Sequence, residues 1–375
     1  MRIAYSAWGF VGDGVIDSPD GGRLTRSLFI ENLIKAGHEI IWVQQNRDVD
    51  EHREPLFDAN KHYDNEQWNT LCKLQYSKYT PDIDILFVEW RWRIPGRNCE
   101  VDITSDKYTP DLDRQKLLID YYASINVKII IWDKDEKMTE QDESYICQKR
   151  YSYNRSWYPN NECVILSPAL FPQSYIIERK TLLFPCNLDK IRGTQLNNQS
   201  ILVGYVGSQY ERDEQIYKYI NPVSFKYPEG VVFAGNWMKY PELAKRNQIN
   251  FPCINFKDRL LPKDMGQVYS YCMTCVLLCK SNYANHGHIT QRIHEVASFG
   301  SIGIGLKEQD GIDKFIIKEN IISDAYDLIE RLGQLKHMNR PKRQDILDQQ
   351  IEMLDPFDIK NVMKEFEKII NVPTI

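Results

Sequence analysis

The chain has 375 residues, 42% of them apolar and 26% charged, with a net charge of −5. That length exceeds what one hydrophobic core usually serves, and the mild acidity excludes a general polyanion binder while leaving room for a local basic groove. Nine cysteines without secreted-framework spacing fit a reducing cytoplasm, no apolar run reaches the length of a membrane span, and "MRIAYSA" is too short for a signal peptide.

In chain order, "RIAYSAW" reads as a short apolar strand. A loop bearing Gly9, Gly12, Gly14, Gly21 and Gly22 follows. "RLTRSLFIENLIKAG" is a helix with Leu24, Leu28, Phe29 and Leu33 on one face and Gly37 as its stop, and "HEIIWVQ" is the next strand. Strand–loop–helix–strand is the unit of a parallel, doubly wound sheet. Further strands are predicted at 84–90, 127–133, 162–168 and 180–186, with a helix headed by Pro110 and Asp111 among them. Residues 189–199 turn polar and read as a linker.

A second alternating series then begins with "ILVGYVG", "ERDEQIYKYI" and "GVVFAGN". "DMGQVYSYCMTCVLLC" reads as a helix running into a strand. Its Cys272, Cys275 and Cys279 have no second pair at zinc-site spacing and are read as buried thiols. "RIHEVASFG" is a helix, "SIGIGL" a strand, and "PFDIKNVMKEFEKIINV" a closing amphipathic helix. Two such series predict two Rossmann-like domains with a cleft between their strand carboxyl ends, where ligands bind open α/β sheets. Shape alone does not fix chemistry.

Several residues stand where chemistry is done. The N-terminal glycines let backbone N–H groups approach a phosphate, although their spacing matches neither the dinucleotide fingerprint nor the Walker loop. Gly207 and Ser208 end a strand, and Arg212 follows in the first turn of a helix, facing an anion or pairing with Glu211 or Asp213. Gly235, Asn236 and Trp237 end another strand, the indole either stacking on a nucleobase or filling core. Arg292 and Glu295, three apart on a helix, share a face as a ligand-binding pair or a buried ion pair. Beyond the strand at 84–90, Glu89, Arg91, Arg93 and Arg97 interleave with Trp90 and Trp92, as a phosphate-gripping surface or a solvated loop. His286, His288 and His294 lack the zincin spacing and are read as structural or sugar-contacting.

The string T-x-R-x-x-E-x-x-x-x-G at Thr290, Arg292, Glu295 and Gly300 resembles the donor-site helix of the GT-B glycosyltransferases. "GYVGSQYER" is similar to the opening of the C-terminal domain in their spore-maturation-protein-like branch, and "RIAYSAWG…GG…LIKAGHEIIWV" to the N-terminal elements of many retaining members. The resemblance implies a GT-B fold. Residues 1–188 would form an acceptor domain, 200–355 a nucleotide-sugar donor domain, and 356–375 a helix returning to the first domain. It implies that Glu295 binds the donor ribose, that Gly12, Gly21 and Gly22 border the diphosphate, and that Arg212 neutralises it on departure. His288 stands where many retaining members carry a glutamate, and Ser208 where a basic residue is frequent.

"IIIWDKDEK" also resembles the strand leading to an acceptor-side aspartate in the phage enzymes that glucosylate hydroxymethylated DNA bases. That match makes Asp135 the candidate acid and Asp133 the runner-up. The expected activity is transfer of a sugar from a nucleoside diphosphate, UDP first, to a hydroxyl, with retention implied by the resemblance. The expected acceptor is a hydroxymethylated pyrimidine in phage DNA. A polysaccharide or small-molecule acceptor stays open, as does a sugar-nucleotide binder without turnover. No cofactor is expected beyond the UDP-sugar co-substrate, and no metal, because no Asp-x-Asp stands at a strand end in the donor domain.

Overall fold

The computed structural model describes residues 1–7, 23–43, 75–77, 80–92, 111–153, 163–260 and 264–371. It divides into two compact units, the first comprising Met1–Pro168, Pro172–Leu183 and Ile359–Ile375, the second Ala169–Phe171 and Phe184–Asp358.

The first unit carries a seven-stranded sheet of β1 (Arg2–Ser6), β2 (Glu39–Val43), β3 (Gln75–Ser77), β4 (Ile85–Glu89), β5 (Lys128–Trp132), β6 (Cys163–Ser167) and β7 (Arg179–Thr181). Its order is β3-β2-β1-β4-β5-β6-β7 and every pairing is parallel. Runs such as "IIIW" and "CVIL" are apolar throughout because strands of a parallel sheet are covered on both faces; Ile129, Ile130, Ile131, Ile165 and Leu166 are fully buried. The helix Arg23–Lys35 buries Phe29, Ile30 and Leu33 against the sheet. The last helix, Ile359–Ile370, sets the Phe366 ring 5.1 Å from Phe29 and 5.7 Å from Phe87. Burying one such ring contributes about 1.5–3 kcal/mol. Lys128 Nζ donates to the carbonyls of Ile369 and Ile370, a cation where the helix dipole favours one.

The second unit carries six parallel strands in the order β10-β9-β8-β11-β12-β13. They are β8 (Ile201–Val206), β9 (Val231–Ala234), β10 (Asn255–Lys257), β11 (Cys272–Val276), β12 (Ile302–Leu306) and β13 (Ile321–Ile322). In each sheet one strand, β1 or β8, pairs on one side with the next strand and on the other with a later one. That reversal opens a crevice at the carboxyl ends.

Two expectations shift. The strand predicted at 180–186 is only Arg179–Thr181, because the chain enters the second unit at Phe184. Residues 189–199, read as a linker, are built into that unit. Leu188–Ile191 is a capped helical turn, and Asn197 Nδ2 lies among four acceptors: the carbonyls of Tyr269, Cys272 and Phe299 and the Ser301 hydroxyl. Gly300, φ +73°, is glycine because a Cβ would stand 2.2 Å from the Gln195 carbonyl oxygen. The Cys272, Cys275 and Cys279 thiols are buried and free. Among the described residues no helix is long and apolar enough to cross a membrane.

Candidate functional site

At the carboxyl edge of the second sheet, β8 runs out at Val206 and β9 at Ala234. The two chain ends then approach closely: a Cβ on Gly235, φ +150°, would lie 2.1 Å from the Gly207 carbonyl oxygen. A Cβ on Gly207 would meet Arg292 Nη2 and the Tyr205 hydroxyl, each at 2.7 Å. Glycine is therefore required at both ends by the protein's own close approach, and bare backbone borders this edge. Gly207, Ser208, Gly235 and Asn236 are half-buried there. Asn236 Oδ1 accepts from the Gln209 amide at 3.0 Å, tying the two loops together.

Trp237 corrects one expectation. It is fully buried, packs against Tyr205, Phe233 and Phe256, and donates its Nε1 proton to the Gly207 carbonyl at 2.9 Å. The indole is core and a strut beneath the crevice, so it offers no face to a nucleobase.

Arg212 sits at the head of the helical run beginning at Asp213 and is buried. Its Nη1 donates to the carbonyls of Ser208 and Tyr210 at 3.0 and 2.9 Å, while its buried Nε has no hydrogen-bond partner. Farther along that run Gln215, Lys218 and Tyr219 converge on Glu308 just beyond β12, at 2.6, 2.7 and 2.9 Å. Gln215 also accepts from the Cys279 amide.

The helix Arg292–Ser298 brings up the other wall. Arg292 lies over the Tyr205 ring at 4.6 Å and donates to the carbonyls of Val206 and Leu278 at 3.0 and 3.3 Å and to the Thr290 hydroxyl at 3.4 Å. Its guanidinium thus pins the ends of β8 and β11. Glu295 stands in the first turn of this helix and is partly exposed. Burial among its neighbours pushes its carboxyl up to about 7, against the pull of Arg292 and Gln291. The hydroxyls of Tyr205 and Tyr269 are buried without hydrogen-bond partners.

His288 is buried, its ring stacked on Tyr283 at 3.8 Å, and its carbonyl accepts from Gln309. His294 is also buried, and burial pushes its imidazole down to about 3, so it stays neutral.

The carboxyl edge of the first sheet is built differently. Glu89, at the end of β4, is buried and accepts from Arg26 Nε at 2.8 Å, Arg26 Nη2 at 2.5 Å and the Tyr5 hydroxyl at 2.5 Å. Lys134 Nζ lies 2.7 Å away. Burial pushes this carboxyl up, but Arg26 and Lys134 outweigh it and hold it down at about 2. The expectation that Glu89 contacts an acceptor is therefore corrected: its oxygens are closed on protein groups.

The chain leaves β5 into a turn. Asp133 is fully buried and accepts from the amides of Lys137 and Met138, both at 2.9 Å, and from Arg179 Nη1 at 3.1 Å. Burial outweighs these donors and pushes it up to about 6, a range suited to proton exchange near neutrality. Asp135 lies two residues on, in the turn, partly exposed. Arg91 is partly exposed, its backbone clasped by Gln115 and its guanidinium 5.0 Å from the Trp92 ring. Gly12, Gly21, Gly22, Arg93 and Arg97 lie outside the described residues.

Arg26, Arg179, Gln215 and Glu308 belong to these edges and escaped the sequence reading. For Arg26 there was a signal: with Phe29, Ile30 and Leu33 it falls at i, i+3, i+4 and i+7, on the apolar face of its helix.

No protein-family model matches the chain, and no curated protein matches it. Solved structures do. T4 phage β-glucosyltransferase in complex with UDP-glucose is 15% identical, over 99% of this chain and 100% of that one, with a TM-score of 0.63; another structure of it holds UDP and Mn2+. Sucrose-phosphate synthase from Thermosynechococcus elongatus is 14% identical over 98% of each chain, at 0.56. The Anabaena protein HepE in complex with UDP is 8% identical over 100% of each, at 0.55. Two parallel, Rossmann-like sheets with these likenesses over nearly the whole chain establish that the protein has the GT-B glycosyltransferase fold.

Proposed function

We propose that the protein is a glycosyltransferase that moves a sugar from a nucleoside diphosphate, UDP by preference, to a hydroxyl acceptor. One observation carries this. Bare backbone at Gly207 and Gly235, a buried Arg212 Nε without a partner and the Arg292–Glu295 helix converge on one sheet edge. Such an edge suits a diphosphate on the glycines and arginines and a ribose on the carboxylate, because an ionised glutamate only accepts hydrogen bonds and a ribose offers two donors. Ser208, Asn236 and Thr290 border the donor, with Gly12, Gly21 and Gly22 as further diphosphate contacts. His288, stacked on Tyr283 and bonded to Gln309, has a structural part in the segment that precedes Thr290. UDP in complexes of two neighbours supports the choice of nucleotide.

In the reaction the acceptor oxygen bonds to the anomeric carbon as the bond to the phosphate oxygen breaks. The electron pair leaves with UDP, stabilised by Arg212. The hydroxyl proton passes to the turn after β5, with Asp135 as the candidate base and Asp133 as the second. A base on the acceptor side belongs to in-line displacement, which inverts the anomeric centre. Retention, implied by the N-terminal loop's resemblance, would instead hand the proton to the leaving phosphate. The product anomer, read by NMR, separates the two.

For the acceptor we favour a hydroxymethylated pyrimidine in DNA, supported by the likeness to the phage DNA-modifying enzyme and by Arg91, with Arg93 and Arg97, as phosphate contacts. A base in a duplex would have to be extruded to react, and a phage-encoded enzyme of this kind would work in the host cytoplasm. The test offers radiolabelled UDP-glucose with hydroxymethylated DNA, unmodified DNA and saccharide acceptors, with and without Mn2+. Label in hydroxymethylated DNA alone supports the full proposal. Label in a saccharide alone removes the DNA acceptor, and donor binding without UDP release removes the transferase.

A further inference from the structure

We propose that Arg179 is a positioning residue for the acceptor-side acid, holding the turn after β5 as a rigid mount; this deepens the proposed function and rests on it. Arg179 lies on β7, two strands away from β5 in the sheet, yet its guanidinium grips both ends of the turn. Nη1 donates to Asp133 at the start at 3.1 Å, and Nη2 to the Met138 carbonyl at the end at 2.9 Å. Glu143, on the helix Glu140–Tyr153, takes a second bond from Nη2 at 2.9 Å and one from Nε at 3.1 Å, from a third side. Glu143 itself accepts from the amides of Ile176 and Ile177, both at 2.8 Å, which fixes the segment leading into β7. The Tyr175 ring lies 5.3 Å from the guanidinium.

Everything around Asp135 is thereby anchored. Asp133 is clamped by Arg179 and two amides. Lys134 reaches Glu89 at 2.7 Å and lies 4.4 Å from the Trp132 ring, and Glu136, at φ +48°, accepts from the Ser167 hydroxyl at 3.2 Å. Only a guanidinium can serve here, because the three acceptors lie in different directions and need a planar fork with five donors. A turn packed for stability alone would be better served by apolar residues, since one cation here faces two buried carboxylates. A mount for a proton acceptor needs the opposite, a carboxylate fixed to within a fraction of an ångström.

The experiment compares Arg179→Lys and Arg179→Ala with the wild type, using UDP-glucose and hydroxymethylated DNA or whichever acceptor takes label. Arg179→Lys should lower kcat about 10- to 100-fold, with KM for UDP-glucose within about twofold, and Arg179→Ala should recover part of its loss in millimolar guanidinium. By hydrogen exchange, the Lys137 and Met138 amides should open faster in both variants. A wild-type kcat in Arg179→Lys overturns the proposal, as do unchanged amide rates. Equal losses in kcat, donor affinity and melting temperature would make the role structural only. If the wild type itself transfers no sugar, the proposed function fails first and takes this inference with it.

Discussion

At the carboxyl edge of the first domain, Glu89, Asp133 and Glu143 are each closed on a cation. At that of the second, Arg212 keeps a buried Nε without a partner, and Glu295 faces partly outward with its carboxyl raised to about 7. Ion pairs closed on themselves make a mount, and their value is geometry. Groups left short of partners make a receptor, because a ligand can supply what the protein withholds. One fold thus presents two sheet edges with opposite electrostatic strategies.

The sharpest way to break this comparison is to remove the acids of the mount. Asp135→Asn should lower kcat about 10²- to 10⁴-fold with donor KM nearly unchanged, the usual scale for a lost general base. Should Asp133→Asn produce that loss and Asp135→Asn none, the buried member of the pair is the base. On the receptor side, Glu295→Ala should raise the donor KM about 10- to 100-fold, as for hydrogen bonds to a charged group. The ionised carboxylate is the form that accepts ribose hydroxyls, so wild-type donor KM should fall as pH rises through about 7; a flat profile would take Glu295 out of the donor site.

The same group gives a linkage prediction. A carboxyl raised from its ordinary value to about 7 in the folded state contributes stability that is complete below the unfolded value and lost as pH rises through about 7. Glu295→Gln lacks that loss. Its melting temperature relative to wild type should therefore climb by a few degrees between pH 5 and pH 8, even as donor binding weakens. Gly300→Ala should cost about 1–3 kcal/mol, from the left-handed backbone and the clash with Gln195. Smallest of all, Arg91→Ala should reduce the salt slope of DNA binding by about one.

Much of this was legible. Both alternating series, and Arg292 and Glu295 on one helix, follow from period and spacing. The two glycine-ended strands of the second domain were visible for the same reason: Gly207 and Gly235 each close an apolar run. What was hidden depends on long-range contact. Trp237 looked like a lip residue because it follows a strand end, and only the fold turns its ring inward onto Phe233 and Phe256. Arg179 stands in "ERK" between the charged Glu178 and Lys180, and nothing local says which of the three is buried. The 189–199 stretch looked like a linker because Asp, Gly and Asn favour turns, whereas Asn197 uses its amide to tie the carbonyls of Tyr269, Cys272 and Phe299 together.

The helix Ile359–Ile370 also bears on the order of assembly. The second unit is nearly contiguous in sequence, Phe184–Asp358, and can close its core before residues 359–370 are made. The first cannot: until residues 359–370 have been synthesised, Phe29 and Phe87 lack the ring that covers them. The N-terminal sheet therefore waits, with Phe29 and Phe87 short of one covering ring, until residues 359–370 have left the ribosome.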